Sequence, residues 1–216
     1  MERLRDIVQL DVVIDPLYDE NCYVLHHRDS DHCLVVDPGL QAGETLRVME
    51  ASGLRCDRIL LSHGHADHVS GVPMVMAAHG CKAAIHAQDR WLLDQVTSFP
   101  GIPLDLPPVV CDEDLADGEL IFWLDLEIAV LHTPGHTPGS VCFVVGHDLL
   151  AGDTLFRRGI GRTDLPGGSQ TTLLFSIRDR LYRLPAETVV HPGHGAVTTI
   201  GEEIQGNPFT VRLRPG

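Results

Sequence analysis

The segment ILLSHGHADHVSG, residues 59–71, places three histidines and an aspartate (His63, His65, Asp67, His68) inside six positions, directly after an apolar run. Histidine and aspartate are poor core residues, whereas neutral imidazole and carboxylate are good ligands for zinc, iron or manganese. The density therefore points to metal chemistry. On a helix His63 and Asp67 would share a face, with His65 nearly opposite. On a strand His63, His65 and Asp67 would share a face and His68 would point away. Neither regular element gathers all four. A strand that runs out at Ser62, turns through the flexible Gly64 and enters a helix near Val69 would fan them around one centre. Four donors on one turn serve two adjacent metals more easily than one.

A metal site needs further ligands, and the rest of the chain offers candidates. HTPGHTPGS at 132–140, AGDTLF at 151–156 and HPGHG at 191–195 each set a histidine or aspartate in a Gly/Pro-rich turn. Each turn follows an apolar strand-like run, which is where a layered α/β domain builds its site. The elements that must position these turns are short. Strands are expected over 7–14, 22–27 and from Cys33, the last closed by Asp37-Pro38-Gly39. An amphipathic helix over 42–53 should stop at Gly53. A buried strand over 58–62, a helix over 69–80, a strand over 82–86 and a helix over 87–96 complete the first half. In the second half, 120–124 and 126–132 should pair around Asp125, and 140–146 with 148–152 around His147 and Asp148. A long helix over 170–184 and a strand over 187–193 follow. Strands interleaved with helices predict a mixed α/β layered domain, one domain spanning residues 1–216. The Pro-rich SFPGIPLDLPPVV, 98–110, reads as a surface connection between halves or as a flap over a pocket.

The 216 residues suffice for one sizeable domain with a real core, or at most two small ones. Sixteen Lys and Arg against 30 Asp and Glu give a formal charge of −14. That balance disfavours a nucleic-acid backbone or an anionic membrane as partner, since both need clustered cations. Anionic small molecules stay open, because a bound metal reverses the local field. The start MERLRDIVQLDVV lacks the apolar core and cleavage site of a signal peptide. Apolar stretches such as VPMVMAA from Val72 are far too short to span a bilayer. Cysteines 22, 33, 56, 81, 111 and 142 form no CxxC pair. They read as free, mostly buried thiols in a reducing compartment, which makes the cytoplasm the expected location.

HxHxDH, then a histidine within HTPGHTPGS, then GDTLF, then PGHG is the motif series of the metallo-β-lactamase-fold hydrolases. The chain resembles them over nearly its whole length, from NCYVL at 21–25 and VVDPG at 35–39 to TTIGEE and NPF within 198–209. GDTLFRRGIGRTDLPGGS with PGHGAVTTIGEEIQGNPF resembles the glyoxalase II-like (hydroxyacylglutathione hydrolase-like) group, in its short single-domain branch. The fold this implies is an αββα sandwich, two mixed β-sheets flanked by helices, with metals at one edge. By the same resemblance His63, His65 and His136 would hold one divalent metal, Asp67, His68 and His194 a second, and Asp153 would bridge both. Zinc is the first expectation, with iron and manganese as alternatives. Asp37 matches a family aspartate that lies beneath the site and orients a ligand.

The implied reaction is hydrolysis of a thioester such as S-lactoylglutathione or a related hydroxyacyl thioester. Two metals about 3.5–4 Å apart share a hydroxide, the water's pKa having been lowered to about 7. Asp67 would orient that hydroxide as well as ligate, and a thiolate leaves without a general acid. The implied partner is a small-molecule thioester or glutathione-derived substrate, with no nucleic acid and no membrane; the oligomeric state is left open.

Two-domain glyoxalase II enzymes carry a C-terminal helical domain that supplies much of the glutathione surface. With the chain ending at Gly216, that surface is expected to be absent. In the loop after the bridging aspartate Arg162 keeps the family's positive charge, but Thr163 and Asp164 stand where those enzymes have aromatics. Arg162 is therefore expected either to bind substrate or to pair with Asp164. The chain also resembles persulfide dioxygenases in HADH and GRTD. They hold one iron, here on His63, His136 and Asp153, a facial triad with open positions. PGHGAVTTIGEE favours the hydrolase.

The other eight histidines (26, 27, 32, 79, 86, 132, 147 and 191) are expected in ordinary loop or strand-end roles. Pro134 and Gly135 exclude a helical ligand pair of His132 with His136, and only the family match selects His136. GIGRTD at 159–164 is close to a dinucleotide fingerprint, but Asp164 stands where its third glycine belongs. No GxSxG elbow occurs. Trp91 and Trp123 read as core residues.

Overall fold

Partial burial along VQLDVVI and unbroken burial along NCYVL mark the first two strands, an edge and an interior one, of a six-stranded sheet. The computed structural model describes residues 8–98 and 105–211, and the chain separates into two compact units, Met1–Asp114 and Leu115–Gly216. In the first unit β1 (Val8–Ile14), β2 (Asn21–His27), β3 (His32–Val36), β4 (Arg55–Leu60), β5 (Lys82–His86) and β6 (Glu113–Leu115) lie in that order across the sheet. β1–β2 and β2–β3 are antiparallel; β3–β4 and β4–β5 are parallel. Parallel neighbours need crossovers. Helix α1 (Ala42–Ala51) makes the first, with Gly53 at φ +67 just beyond it. α2 (Ala66–Val69) and α3 (Val72–His79) make the second. Met49, Ile59, Leu61, Val72, Val75 and Ile85, all fully buried, form the centre of this unit's core.

The second unit has its own six-stranded sheet. β7 (Leu120–Trp123), β8 (Leu126–His132), β9 (Val141–Val145) and β10 (Asp148–Gly152) run as an antiparallel meander. β13 (Val189–Pro192) pairs parallel with β10, and β14 (Thr198–Thr199) closes the far edge. A two-stranded ribbon of β11 (Leu155–Phe156) and β12 (Gly159–Ile160) follows β10. α5 (Gln170–Asp179) is capped by Ser169, whose Oγ accepts the Thr172 N–H at 3.3 Å. It buries Leu173 and Ile177 against Leu149, Leu155 and Leu181. α6 (Ile200–Gly206) ends the described chain's regular structure.

Mixed α/β architecture with two large mixed sheets and helices is what the sequence predicts, and most elements lie where expected. Three helices differ. The one expected over 87–96 is a 3₁₀ turn (Ala87–Asp89), a single turn α4 (Arg90–Leu93) and another 3₁₀ turn (Val96–Ser98). That expected over 69–80 is interrupted at Ser70–Gly71, where Gly71 N–H donates to Pro38 O at 2.8 Å. That over 170–184 stops at Asp179 and finishes as 3₁₀ (Leu181–Arg183). Trp123 is buried as expected, but Trp91 is 37% exposed, so it does not belong to the core. Of the Pro-rich segment, residues 99–104 lie outside the described residues; 105–110 carry no regular structure. All six cysteines are free and buried. No helix among the described residues is long and apolar enough to cross a membrane.

Candidate metal centre

Each unit delivers most of its chemistry-bearing residues from the carboxyl ends of a parallel strand pair. In the first unit Asp37 directly follows β3 and β4 runs out through Leu61 into Ser62 and His63, with Asp37 N–H donating to Leu60 O at 3.1 Å. Asp37 adopts φ +52, a left-handed conformation that aspartate tolerates better than most residues. Its carboxylate takes the Ser62 N–H on Oδ1 (2.7 Å) and the Ser62 hydroxyl on Oδ2 (2.6 Å), and Oδ2 lies 3.1 Å from His68 Nδ1. Asp37, His63 and His68 are all buried, with one ligand atom of each mutually within 4.8 Å.

These partners determine which imidazole nitrogen is available. Ser62 Oγ, its proton given to Asp37, is left to accept from His63 Nδ1 at 3.0 Å. His68 Nδ1 is directed at Asp37. With Nδ1 so directed, Nε2 is the nitrogen each ring would offer a metal, the arrangement in which an outer hydrogen bond orients a metal ligand. His63 Nε2 lies 3.1 Å from His65 Nδ1. Two ligand nitrogens at about 2.0–2.1 Å from a tetrahedral ion are separated by roughly 3.3–3.4 Å, so this spacing fits a shared ion. Asp67, on α2, has Oδ2 3.8 Å from His68 Nε2.

The turn holding these histidines needs a glycine. A Cβ at Gly64 would lie 2.8 Å from Leu92 Cβ and 2.9 Å from Asp89 O, while the Gly64 N–H donates to Asp89 Oδ2 at 3.0 Å. Asp89 is fully buried. Glu20 is buried as well. Desolvation pushes its carboxyl well above the ordinary range, against the lowering influence of His68 and of the Gln41 amide. Ser62, Asp89 and Glu20 were not among the expected site residues. Ser62 adjoins the motif, but nothing in the sequence joins Glu20 or Asp89 to it.

In the second unit β10 and β13 run parallel with Gly152 opposite Pro192, which sets Asp153 and His194 one and two residues beyond the paired ends. His136 sits in the turn between β8 and β9, held by Gly135 O to Ser169 N–H (2.8 Å) and Pro134 O to Ser176 Oγ (2.7 Å). His136 Nδ1 lies 2.7 Å from Arg162 O, a partner that can only accept, so Nε2 is again bare. Nε2 of His136 and of His194 lie 3.4 and 3.5 Å from the same oxygen, Asp153 Oδ2. A carboxylate oxygen flanked by two imidazole nitrogens is a cation-binding donor set. The ring of Phe156 stands edge-on to His194, centroids 6.1 Å apart.

The loop after Asp153 is fixed from below by a buried carboxylate. Glu203 accepts from Thr198 Oγ1 (2.6 Å), the Arg158 N–H (2.9 Å) and Asn207 Nδ2 (2.8 Å), and Asn207 Nδ2 also reaches Gly159 O at 2.9 Å. The TTIGEE and NPF segments thus hold the ribbon. Gly161 lets the Asp153 carbonyl approach where any Cβ would overlap it. Arg162 forks onto Asp164, Nε to Oδ1 and Nη2 to Oδ2, both at 2.8 Å, which lowers the Asp164 carboxyl to about 2. Of the two roles expected for Arg162, pairing is the one the structure contains.

Several histidines outside the proposed ligand set have local partners. His26 pairs with Asp11 (3.0 Å), His32 with Asp57 (2.7 Å) and His191 with Asp148 (2.8 Å). His132 Nε2 lies 2.9 Å from Pro138 O.

A family model described as the Metallo-beta-lactamase superfamily matches residues 15–194. An uncharacterized protein of Mycobacterium leprae, ML0493, is 43% identical over 206 residues, 89% of this chain and 94% of its own. The hydroxyacylglutathione hydrolase GloC of Haemophilus influenzae is 31% identical over 211 residues, 94% of this chain and 98% of its own. Among solved structures, the BLEG-1 B3 metallo-beta-lactamase superposes with a TM-score of 0.84 at 33% identity, covering 94% of this chain and 99% of that one. TTHA1623 in a di-iron-bound form gives 0.83 at 35%, covering 92% and 99%. ETHE1 from Myxococcus xanthus gives 0.79 at 25%, covering 93% and 83%.

Proposed function

The chain belongs to the metallo-beta-lactamase superfamily, and from that premise we propose that it is a binuclear metal-dependent hydrolase of thioesters, of the hydroxyacylglutathione hydrolase kind. The observation that carries the reading is the orientation of the imidazoles: Nδ1 of His63, His68 and His136 is each taken by a protein oxygen, leaving Nε2 for a metal. In this reading residues 1–216 act as one functional domain. His63, His65 and His136 would hold one divalent ion and Asp67, His68 and His194 the other, with Asp153 available to both. Zinc suits this nitrogen- and oxygen-rich set, as do iron and manganese.

Two bound ions would supply a water deprotonated near neutral pH and polarise the scissile carbonyl. The chain's own residues do the rest. Asp67 would orient the attacking hydroxide by accepting a hydrogen bond from it, as well as ligate. Asp37 and Arg162 O hold His68 and His136 in the tautomer that binds. Phe156 packs beside His194 and limits water there. The leaving thiolate needs no protonation, so the absence of a further acid in the proposed ligand set suits a thioester. An anionic thiol half, such as glutathione, would be met by Arg162 once its guanidinium exchanges Asp164 for the substrate carboxylate; both side chains are exposed, where ion pairs are weak. The relationship to GloC supports the glutathione-derived substrate class. Six free thiols suit a reducing, cytoplasmic setting.

The test is metal content in protein purified without added metal, followed by a thioester panel including S-lactoylglutathione. Two ions per chain and turnover of a thioester are expected. One iron per chain with no uptake of a second on titration would reject this reading. It would favour the one-iron oxygenase arrangement on His63, His136 and Asp153 that the HADH and GRTD segments suggest.

A further inference from the structure

We propose that Thr133 and Thr154 are positioning residues that set the spacing between His136 and Asp153. The proposal rests on the reading that His136 and Asp153 share an ion, which the two-ion and one-iron arrangements have in common. Thr133 stands three residues before His136, where β8 gives way to its turn. Thr154 directly follows Asp153, where β10 gives way to its own. Both threonines are buried. Their hydroxyl oxygens lie 3.0 Å apart, a hydrogen bond. Cys142, buried on β9, touches both: its Sγ lies 3.3 Å from Thr133 Oγ1, 3.5 Å from Thr154 Oγ1 and 3.4 Å from Ala151 O. One assignment satisfies every proton, with Thr154 donating to Thr133, Thr133 to Cys142 Sγ and the thiol to Ala151 O.

The order of the sheet gives this contact its purpose. β9 lies between β8 and β10, so no ladder joins the strand that leads to His136 to the strand that leads to Asp153. Backbone bonds close each turn on itself, Thr133 N–H to Ser140 O at 2.8 Å and Thr154 N–H to Ala151 O at 3.1 Å. They do not hold one turn against the other. The threonine pair does so directly. A second tie runs through the loop after Asp153, where Arg162 O meets His136 Nδ1 at 2.7 Å. With both ties in place, His136 Nε2 lies 3.4 Å from Asp153 Oδ2. The surroundings are apolar: Leu149, Ala151, Leu155 and Leu173 belong to the same core cluster as Cys142. Valine has the shape of threonine and would fill that core with no hydroxyl to satisfy, at little cost in stability when both partners change together. The separation is what valine does not reproduce. Carbon atoms in contact stand about 3.5–4.0 Å apart, so a methyl pair here would spread the turns by roughly 0.5–1 Å. Ligand distances to a bound ion are held to within about 0.2 Å, so binding would register that spread.

The test compares Thr133→Val and Thr154→Val, singly and together, with Thr133→Ser and Thr154→Ser, which keep the hydroxyl. Cobalt(II) is the probe, added to the metal-free full chain. Its affinity is read by chelator competition, its coordination by the visible d–d spectrum, and the Tm of the metal-free protein is recorded beside them. The double valine variant strands no donor, so its metal-free Tm is expected to stay near that of the wild type. It should nevertheless bind cobalt ten-fold or more weakly, the size typical of removing an outer support of a metal ligand, with an altered spectrum. Each single valine variant should be about as weak, because either change breaks the same bond and the two effects do not add. Serine at either position should restore wild-type affinity and spectrum. Wild-type affinity and spectrum in the folded double variant would overturn the proposal. So would serine variants as weak as the valine ones, since packing of the methyl and not the hydroxyl bond would then be responsible. A wild-type chain that takes up no cobalt would reject the reading of His136 and Asp153 as ligands, and the proposal with it.

Discussion

At the scale of single residues, the candidate centre is arranged by atoms that are not ligands. Ser62 and Asp37 form a relay in which one hydroxyl proton, given to Asp37 Oδ2, decides that His63 must donate from Nδ1. Asp37→Asn offers one carbonyl oxygen and an NH₂ in place of two acceptors, so Ser62 and His68 can no longer both be satisfied. The second ion should then bind about 10–100-fold more weakly, by chelator competition, and an unchanged affinity would remove Asp37 from the centre. Arg162 presents the opposite case, a cation neutralised by its neighbour. Its fork with Asp164 lies on exposed side chains, and freeing it should favour an anionic ligand. Asp164→Asn is expected to lower KM for S-lactoylglutathione several-fold with little change in kcat. A neutral thioester should show no such gain, and an equal gain on both would exclude charge recognition by Arg162.

At the scale of elements, the same device is used in each unit: parallel neighbours, β3 with β4 and β10 with β13, end together and release a turn at their carboxyl ends. The HxHxDH turn after β4 has no room for a side chain at Gly64. Gly64→Ala should therefore displace Leu92 or Asp89, lower Tm and weaken metal binding. Gly43 in α1 has nothing within 4 Å of an added Cβ, so Gly43→Ala should instead stabilise by about 0.4–1 kcal/mol. Denaturant unfolding of the two variants side by side reads the contrast. In the second unit Glu203 is the peg of the ribbon after Asp153. Glu203→Ala leaves Thr198 Oγ1, the Arg158 N–H and Asn207 Nδ2 without their shared acceptor, an effect of about 1–3 kcal/mol per stranded buried group. It should reduce turnover as well as stability; full activity in the folded variant would separate the ribbon from the site. The helix expected over 87–96 shows where periodicity misleads. Its apolar spacing is helical, yet Asp89 is drawn inward to hold Gly64, and the backbone passes through 3₁₀ turns on either side of α4 to allow it.

At the scale of the whole molecule, metal and stability should be linked. An ion that binds only the folded chain adds about 2.7 kcal/mol when present at a hundred times its Kd. For a chain of this length each 1 kcal/mol shifts Tm by about 2–4 °C. Chelation should thus lower Tm by several degrees per ion, and scanning calorimetry with and without chelator checks it; an unchanged Tm would mean that no ion was held tightly. The overall charge of −14 makes the few cations near the loop after Asp153 important for any anionic substrate. The sequence by itself determined the donor types, the strand-end turns that carry them, the absence of a helix between His132 and His136, and the membership of the superfamily. All of these are properties of residue type and short spacing. Tertiary structure alone decided which nitrogen of His63, His68 and His136 meets a protein oxygen, that Asp89 supports the turn at Gly64, that Glu203 supports the ribbon, and that Trp91 is partly exposed. Those outcomes depend on partners up to dozens of residues away, as His68 is from Asp37 and Arg158 from Glu203. A hydrogen bond is settled by tenths of an ångström between segments that only folding brings together, and no periodicity along the chain encodes that distance.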